Sequence, residues 1–221
     1  YGKEEVEYFT RSELDKVLYK IRKLSGSKLG MMLPSTHLSE QEYENLDWVG
    51  RDRLKGKRNW VDLYDAIELL SNYYLRSEDL PRIKSEWIYK NENNEKLKYL
   101  IYLETLKGNR KKKHYSYPYF SNATYHIEEI RSRKPTGYLV FPMYERDEDN
   151  PVDSQVSETL NFMLQHVVEL CGIKKRQKMT MTNIRHTAFY LTIKENPELF
   201  NTESKLRTFA ENGHTSSEML R

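Results

Sequence analysis

Apolar residues first recur at helical spacing at Leu14, Val17, Leu18 and Ile21, a single stripe suited to face a core. The stripe opens on Thr10, and Glu13 follows three positions later. That pair predicts a capping box, with the hydroxyl and the carboxylate each accepting the other's backbone N–H. Phe9 and Leu14 flank it as a hydrophobic staple. From 25 to 58 periodicity is poor and polar residues dominate, which reads as a long loop or insertion. A second helix is predicted from about Trp60, with Leu63, Ile67 and Leu70 on one face, reaching Tyr74. Helical signal stops around Pro81, and the period then changes. Leu97, Tyr99, Ile101 and Leu103 alternate as a strand does, the turn Lys107-Gly108-Asn109-Arg110 follows, and Tyr115 and Tyr117 alternate again. This predicts a β-hairpin with a basic tip. Ser121 is placed to cap a helix ending near Arg133. Val156, Leu160, Met163, Leu164 and Val167 mark a long amphipathic helix stopped by Gly172. Further helices are predicted from near Thr182 and over Glu203 to Glu211, the latter ended by Asn212-Gly213. Thr215 and Glu218 form a capping box for a last helix, which the end of the chain cuts short. With no internal repeat or low-complexity tract, residues 1–221 read as one α+β domain, mostly helical with a small antiparallel β-hairpin.

Composition adds limits. The 221 residues are 38% hydrophobic and include 17 Tyr, 7 Phe and 3 Trp, enough for a proper core. The 31% charged content and mean hydropathy of -0.85 point to a polar surface. No apolar run reaches membrane-spanning length and no signal-peptide pattern opens the chain, so no membrane partner is expected. The first residue is Tyr rather than Met, and we expect a longer parent protein. Cys171, alone of its kind, excludes an internal disulfide and a Cys-rich zinc site. It falls on the apolar face of a predicted helix, as a buried, inert thiol would, and a reducing cytoplasm fits. The net charge of +3 says little by itself, whereas its distribution says more. Lys107, Arg110, Lys111, Lys112 and Lys113 fall within seven residues and Lys174, Lys175, Arg176 and Lys178 within five, while acids gather elsewhere, as in Glu145 to Asp149. Each cluster suits either a polyanion or a solvated loop. His37, His114, His126 and His166 lack metal-ligand spacing.

Two stretches near the C-terminus carry the sharpest local signal: Ile184-Arg185-His186-Thr187-Ala188-Phe189, and Glu211-Asn212-Gly213-His214-Thr215-Ser216-Ser217. They resemble the paired signatures of the tyrosine recombinases (the phage-integrase family), in which an Arg-His-Thr helix start precedes a Gly-His-Ser/Thr-Ser helix start. His214 follows Arg185 by 29 positions, within that family's range. Tyr74-Leu75-Arg76-Ser77-Glu78-Asp79-Leu80 resembles the segment holding the family's first catalytic arginine, with an acid three positions on and a leucine after it. Lys107-Gly108-Asn109 is similar to the family's β-hairpin lysine, although Lys111, Lys112 and Lys113 compete for that role. The four pieces fall in the family's order between Phe9 and Leu220.

The resemblance implies a mostly helical catalytic domain and a site-specific recombinase acting on double-stranded DNA, with no metal and no other cofactor. Phosphoryl transfer builds negative charge on the non-bridging oxygens, and arginine meets it with a planar, permanently ionised fork. Arg76 and Arg185 are thereby implied as the phosphate clamp, Lys107 as the acid protonating the departing 5′-hydroxyl, and His214 as a hydrogen-bond donor to a phosphate oxygen. His186 is implied as a supporting residue. Arg110, Lys111, Lys112, Lys113, Thr215 and Ser216 are implied as DNA contacts. The family's nucleophile is a tyrosine that forms a 3′-phosphotyrosine. It lies about nine residues past the second histidine, which from His214 is beyond Arg221. The chain as written is therefore expected to bind DNA without cleaving it. Where the family usually carries a histidine, three residues before the second arginine, this chain has Thr182, which cannot act as a base near neutral pH. A catalytically silent DNA-binding protein on the same fold is the alternative. The family's N-terminal DNA-clamp domain is not represented, and self-association on DNA is expected through the segment after Arg221.

Overall fold

The computed structural model describes residues 7–25, 58–92, 98–107, 110–116, 118, 123–140 and 153–212. Leu97, the Gly108-Asn109 turn, Tyr117, Ser121, all of the expected insertion but its two ends, and the motif from Gly213 onward lie outside the described residues.

Helix α1 spans Arg11–Leu24 and begins as its sequence predicts. The Thr10 hydroxyl accepts the Glu13 N–H at 3.2 Å, and the Glu13 carboxylate accepts the Thr10 N–H at 2.8 Å. Leu14, Val17, Ile21 and Leu24 are its buried stripe. Helix α2, Arg58–Tyr73, starts two residues earlier than its apolar pattern suggests. It is buried on nearly every side: Trp60, Leu63, Ala66, Ile67, Leu69, Leu70 and Tyr73, but also Asp62 and Asp65. A helix so enclosed is a hub, and α2 packs against α1 and against three helices that follow it.

After α2 the chain makes a 3-10 helix over Ser77–Arg82 with Pro81 inside it, where the sequence marked only the end of helical signal. A second 3-10 turn, Ser85–Trp87, leads into a short strand β1, Ile88–Lys90, that the sequence did not reveal. Strands β2 (Tyr99–Lys107) and β3 (Arg110–Ser116) are the expected hairpin, paired antiparallel from Ile101↔Ser116 to Lys107↔Arg110. β1 adds to the outer edge of β2 with Ile88 opposite Ile101, giving a three-stranded sheet in the order β1-β2-β3.

The rest is helical: α3 (Ala123–Arg133), α4 (Asp153–Leu170), α5 (Met181–Glu195), a 3-10 turn (Pro197–Phe200) and α6 (Glu203–Asn212). α4 ends in a Schellman motif, in which Gly172 at φ +65° donates to the Glu169 carbonyl and Ile173 to that of Val168. Cys171, just before it, is buried, with its thiol facing the Lys16 carbonyl and its pKa raised chiefly by burial. α5 is capped at Thr180, whose N–H and hydroxyl both meet the Asn183 side-chain oxygen at 2.8 Å.

Residues Glu7 to Arg11 run along α5 as a strap. Asn183 donates to the Glu7 carbonyl, Phe9 donates to the Thr187 hydroxyl at 3.0 Å, Tyr8 stacks on Tyr190 and Arg11 pairs with Glu195. Most of the apolar interior forms one core around α2, while Tyr74, Ala188, Phe189, Phe200 and Phe209 form a smaller, separate cluster. Among the described residues no helix is long and apolar enough to cross a membrane.

Candidate functional site

The site is built where α2 ends and α5 begins. α2 stops because Tyr74 adopts a left-handed backbone at φ 54°, a conformation disfavoured for an aromatic L-residue. Its surroundings hold it there. The Tyr74 N–H still bonds the Leu70 carbonyl, its hydroxyl meets the Thr192 hydroxyl at 3.0 Å, and its ring packs on Phe189 and Phe209 at 4.8 and 4.9 Å. The turn sends the chain out through Leu75 to Arg76, which is extended (φ -75°, ψ 145°) and half-buried at the mouth of the Ser77–Arg82 helix.

Asp79 and Leu80, the acid and leucine of the Arg76 motif, have separable structural tasks. Leu80 is fully buried in the main core. Asp79 is 4% exposed and its carboxyl accepts the backbone N–H of Arg76, closing the first turn against the residue that bears the guanidinium. Burial, with the neighbouring charge of Glu78, pushes the Asp79 carboxyl up to about 6, against the pull of Arg76 and Arg82.

Arg185 comes from the first turns of α5 and is 8% exposed, not the surface arginine that a helix start ordinarily carries. Its Nε donates to the Tyr74 carbonyl at 3.0 Å and its guanidinium lies 5.4 Å from the centre of the Phe189 ring. One edge of the fork is thus fixed by the same residue that bends α2. Burial, and then the positive charge of Arg76, lower its pKa to about 10, while Glu78 and Asp79 pull the other way. Arg185 stays ionised at neutral pH. That effect on Arg185 brings Arg76 and Arg185, distant in the chain, to the same region of the fold.

Thr182, one turn before Arg185, hydrogen-bonds through its hydroxyl to that of Ser77 at 2.9 Å, tying the start of α5 to the residue after Arg76. His186 is half-buried, and burial followed by the charge of Arg185 lowers its pKa, favouring the neutral ring at pH 7. Lys107 and Arg110 are the last pair of the hairpin ladder; Lys111, Lys112 and Lys113 stand opposite Leu106, Thr105 and Glu104. His214, Thr215 and Ser216 lie outside the described residues. Helix α6, which precedes them in the chain, is anchored by Phe209 against Tyr74 and Phe189, the residues that meet Arg185 through a carbonyl and a ring.

Tyr74, Ser77 and the strap on α5 were not legible as site components, since nothing local marks a left-handed tyrosine or a hydroxyl that meets another 105 positions away. A cleft of about 530 Å³ is lined by Arg11, Glu68, Asn72, His126, Glu195 and others, but by none of the predicted site residues.

No family model matches this chain, and no curated protein matches it. Solved structures do. The chain is similar to the crystal structure of XerA recombinase, at a TM-score of 0.52 and 13% identity, covering 100% of this chain and 59% of that one. It is similar to XerH site-specific recombinase bound to a palindromic difH substrate in a post-cleavage complex (TM-score 0.52, 14% identity, 98% of this chain and 48% of that one). The pre-cleavage XerH–difH complex gives 0.51 and 13%, over 100% of this chain and 51% of that one. The chain thus spans about half the length of these recombinases. Its mostly helical architecture with a small antiparallel sheet is the fold of a tyrosine-recombinase catalytic domain.

Proposed function

We propose that this chain is the catalytic domain of a site-specific DNA recombinase that cleaves and rejoins double-stranded DNA without a metal, through a 3′-phosphotyrosine. The observation that carries the reading is that Arg76 follows the end of α2 while Arg185, buried at the start of α5, is held at Nε by the Tyr74 carbonyl two residues before Arg76. A phosphoryl transition state adds negative charge to the non-bridging oxygens, and two arginine forks brought to one phosphate would stabilise it. Thr182 supplies a further hydroxyl at the same edge, and His186 supports Arg185 from the next position. Lys107, at the end of the hairpin, protonates the leaving oxygen, while Arg110, Lys111, Lys112 and Lys113 hold the flanking backbone. His214 donates to the phosphate, with Thr215 and Ser216 beside it. The nucleophile is a tyrosine beyond residue 221. Its phenol releases its proton to solvent as the oxygen bonds phosphorus and the P–O5′ bond breaks, and the 5′-oxygen takes a proton from the Lys107 ammonium; rejoining reverses each step. The setting is the cytoplasm, and subunits associate on DNA through the segment that carries the tyrosine.

The test uses the chain extended past Arg221 on a nicked suicide duplex. A covalent protein–DNA adduct is expected, formed about 10²–10³ more slowly by Arg76→Ala and by Arg185→Lys. One observation favours a second reading, a silent DNA binder: Thr182 stands at the histidine position, engaged with Ser77. Tight binding with no adduct, in a chain that includes a tyrosine at the family position, would establish that reading instead.

A further inference from the structure

The loop joining α4 to α5 carries four cations, and their surroundings sort them. Lys175 turns inward: its ammonium donates to the Tyr8 carbonyl at 2.9 Å and to the Glu13 carboxylate at 2.7 Å, and sits 5.6 Å from the centre of the Phe9 ring. Lys174, Arg176 and Lys178 are exposed. Their backbone is pinned at several points. The Glu7 carboxylate accepts the N–H groups of Arg176 and Gln177, each at 3.0 Å. The Schellman turn at Gly172 fixes one end of the loop, and the Thr180–Asn183 cap fixes the other. Those two N–H groups, with the nearby charges of Lys175 and Arg176, hold the Glu7 carboxyl below its ordinary range against its slight desolvation, so the tie persists at neutral pH. From Gly172 through Lys194 the chain contains no Asp or Glu.

We propose that Lys174, Arg176 and Lys178 form a second contact strip for duplex DNA, engaging backbone phosphates beside the one held by Arg76 and Arg185. The inference rests on the recombinase-fold reading above but assigns residues outside its catalytic set. Lys178 precedes Thr182 by four residues, so the two lie within about 14 Å even at full extension. At a rise of roughly 3.4 Å per nucleotide, that span is a few phosphates. A loop whose backbone is already fixed loses little further entropy when its side chains engage a polyanion. Lys174 and Lys178 contribute most, because the Glu7 carboxylate beside Arg176 offsets part of its charge. Such contacts position the duplex without reading its sequence.

Anisotropy titration of a mixed-sequence duplex, from about 50 to 200 mM salt, tests this on the 221-residue chain. Each lost phosphate contact removes about 0.9 from the slope of log K against log salt, so the Lys174→Ala/Arg176→Ala/Lys178→Ala variant is expected to lose about 2 to 3. In the chain extended past Arg221, adduct formation at saturating DNA is expected to proceed at the unaltered rate. A steep slope in the unaltered chain that the triple variant retains would overturn the strip alone. A flat response in the unaltered chain would overturn the DNA reading itself. Competition by polyglutamate as effective as that by DNA would assign the strip to an acidic protein surface and overturn the proposal.

Discussion

Asp79 and Arg185 place opposite charges at low exposure near the junction of α2 and α5, and burial works against both. For the arginine the effect leaves ionisation intact at pH 7. For the aspartate it does not leave stability intact. The folded carboxyl titrates near 6 rather than at its ordinary 3.8, so the folded state binds the proton more tightly than the unfolded chain does. The stability this provides is full below about 3.8 and is lost as pH rises through about 6. The cost at pH 7 is roughly 2–3 kcal/mol, from about 1.4 kcal/mol for each unit. Asp79→Asn keeps an acceptor for the Arg76 N–H and removes the titration. Urea denaturation should find the variant more stable than the parent by up to that amount at pH 7, with the gap closing toward pH 4. A gap that does not change with pH would mean that the carboxyl is not the titrating group.

Between elements, legibility followed the range of the interaction. The Thr10–Glu13 box, the Leu14–Val17–Ile21 stripe, the hairpin and the Gly172 stop are encoded within a few residues of themselves, and each stands where the pattern puts it. β1 escaped because three residues are too few to show alternation, and its existence depends on β2 offering Ile101 opposite Ile88. The 3-10 helix around Pro81 escaped because proline was read only as an end to α-helix, whereas a short 3-10 turn accommodates it. Around Arg185, the arginine stood out in the sequence but the contacts that support it did not. That Arg185 is buried, and that the Tyr74 carbonyl holds it, depends on contacts between segments distant in the chain. The Schellman turn allows a clean test of local encoding. An added Cβ at Gly172 would meet no atom within 4 Å, so Gly172→Ala costs only the left-handed backbone, about 1–2 kcal/mol. Gly172→Asn should cost less, since asparagine tolerates that region. Both shifts should appear in the urea midpoint with an unchanged m-value.

Across the whole molecule, α2 links two polar sites at opposite ends of one buried rod. Its C-terminal end delivers Tyr74 and Arg76. Near its N-terminal end Asp62 and Asp65, both almost fully buried, meet Lys134 from the end of α3; Arg133 also pairs with Asp65, and Lys134 reaches the Leu139 carbonyl as well. Burial alone would push the Lys134 ammonium down, but the two aspartates outweigh it and hold it above its ordinary value. Such a cluster is costly to assemble and far costlier to break, because one partner's removal leaves charge stranded in a medium that cannot solvate it. Lys134→Met keeps the length and apolar stem of the side chain and removes only the charge. It should destabilise the fold by about 3–5 kcal/mol at pH 8. Asp65 keeps Arg133, but Asp62 would sit buried without the Lys134 charge and favour its protonated form when folded, so stability is lost as pH rises, and the deficit should shrink between pH 8 and pH 5. Asp65 lies about 12 Å along the helix from Tyr73, at 1.5 Å per residue, so the fraction that remains folded should keep its arginine pair intact. Adduct formation per folded molecule of the extended chain is expected to stay within about twofold of the parent, since no residue proposed to meet the phosphate has been altered. A loss of rate exceeding the loss of folded protein would show instead that the anchor at one end of α2 sets the geometry at the other.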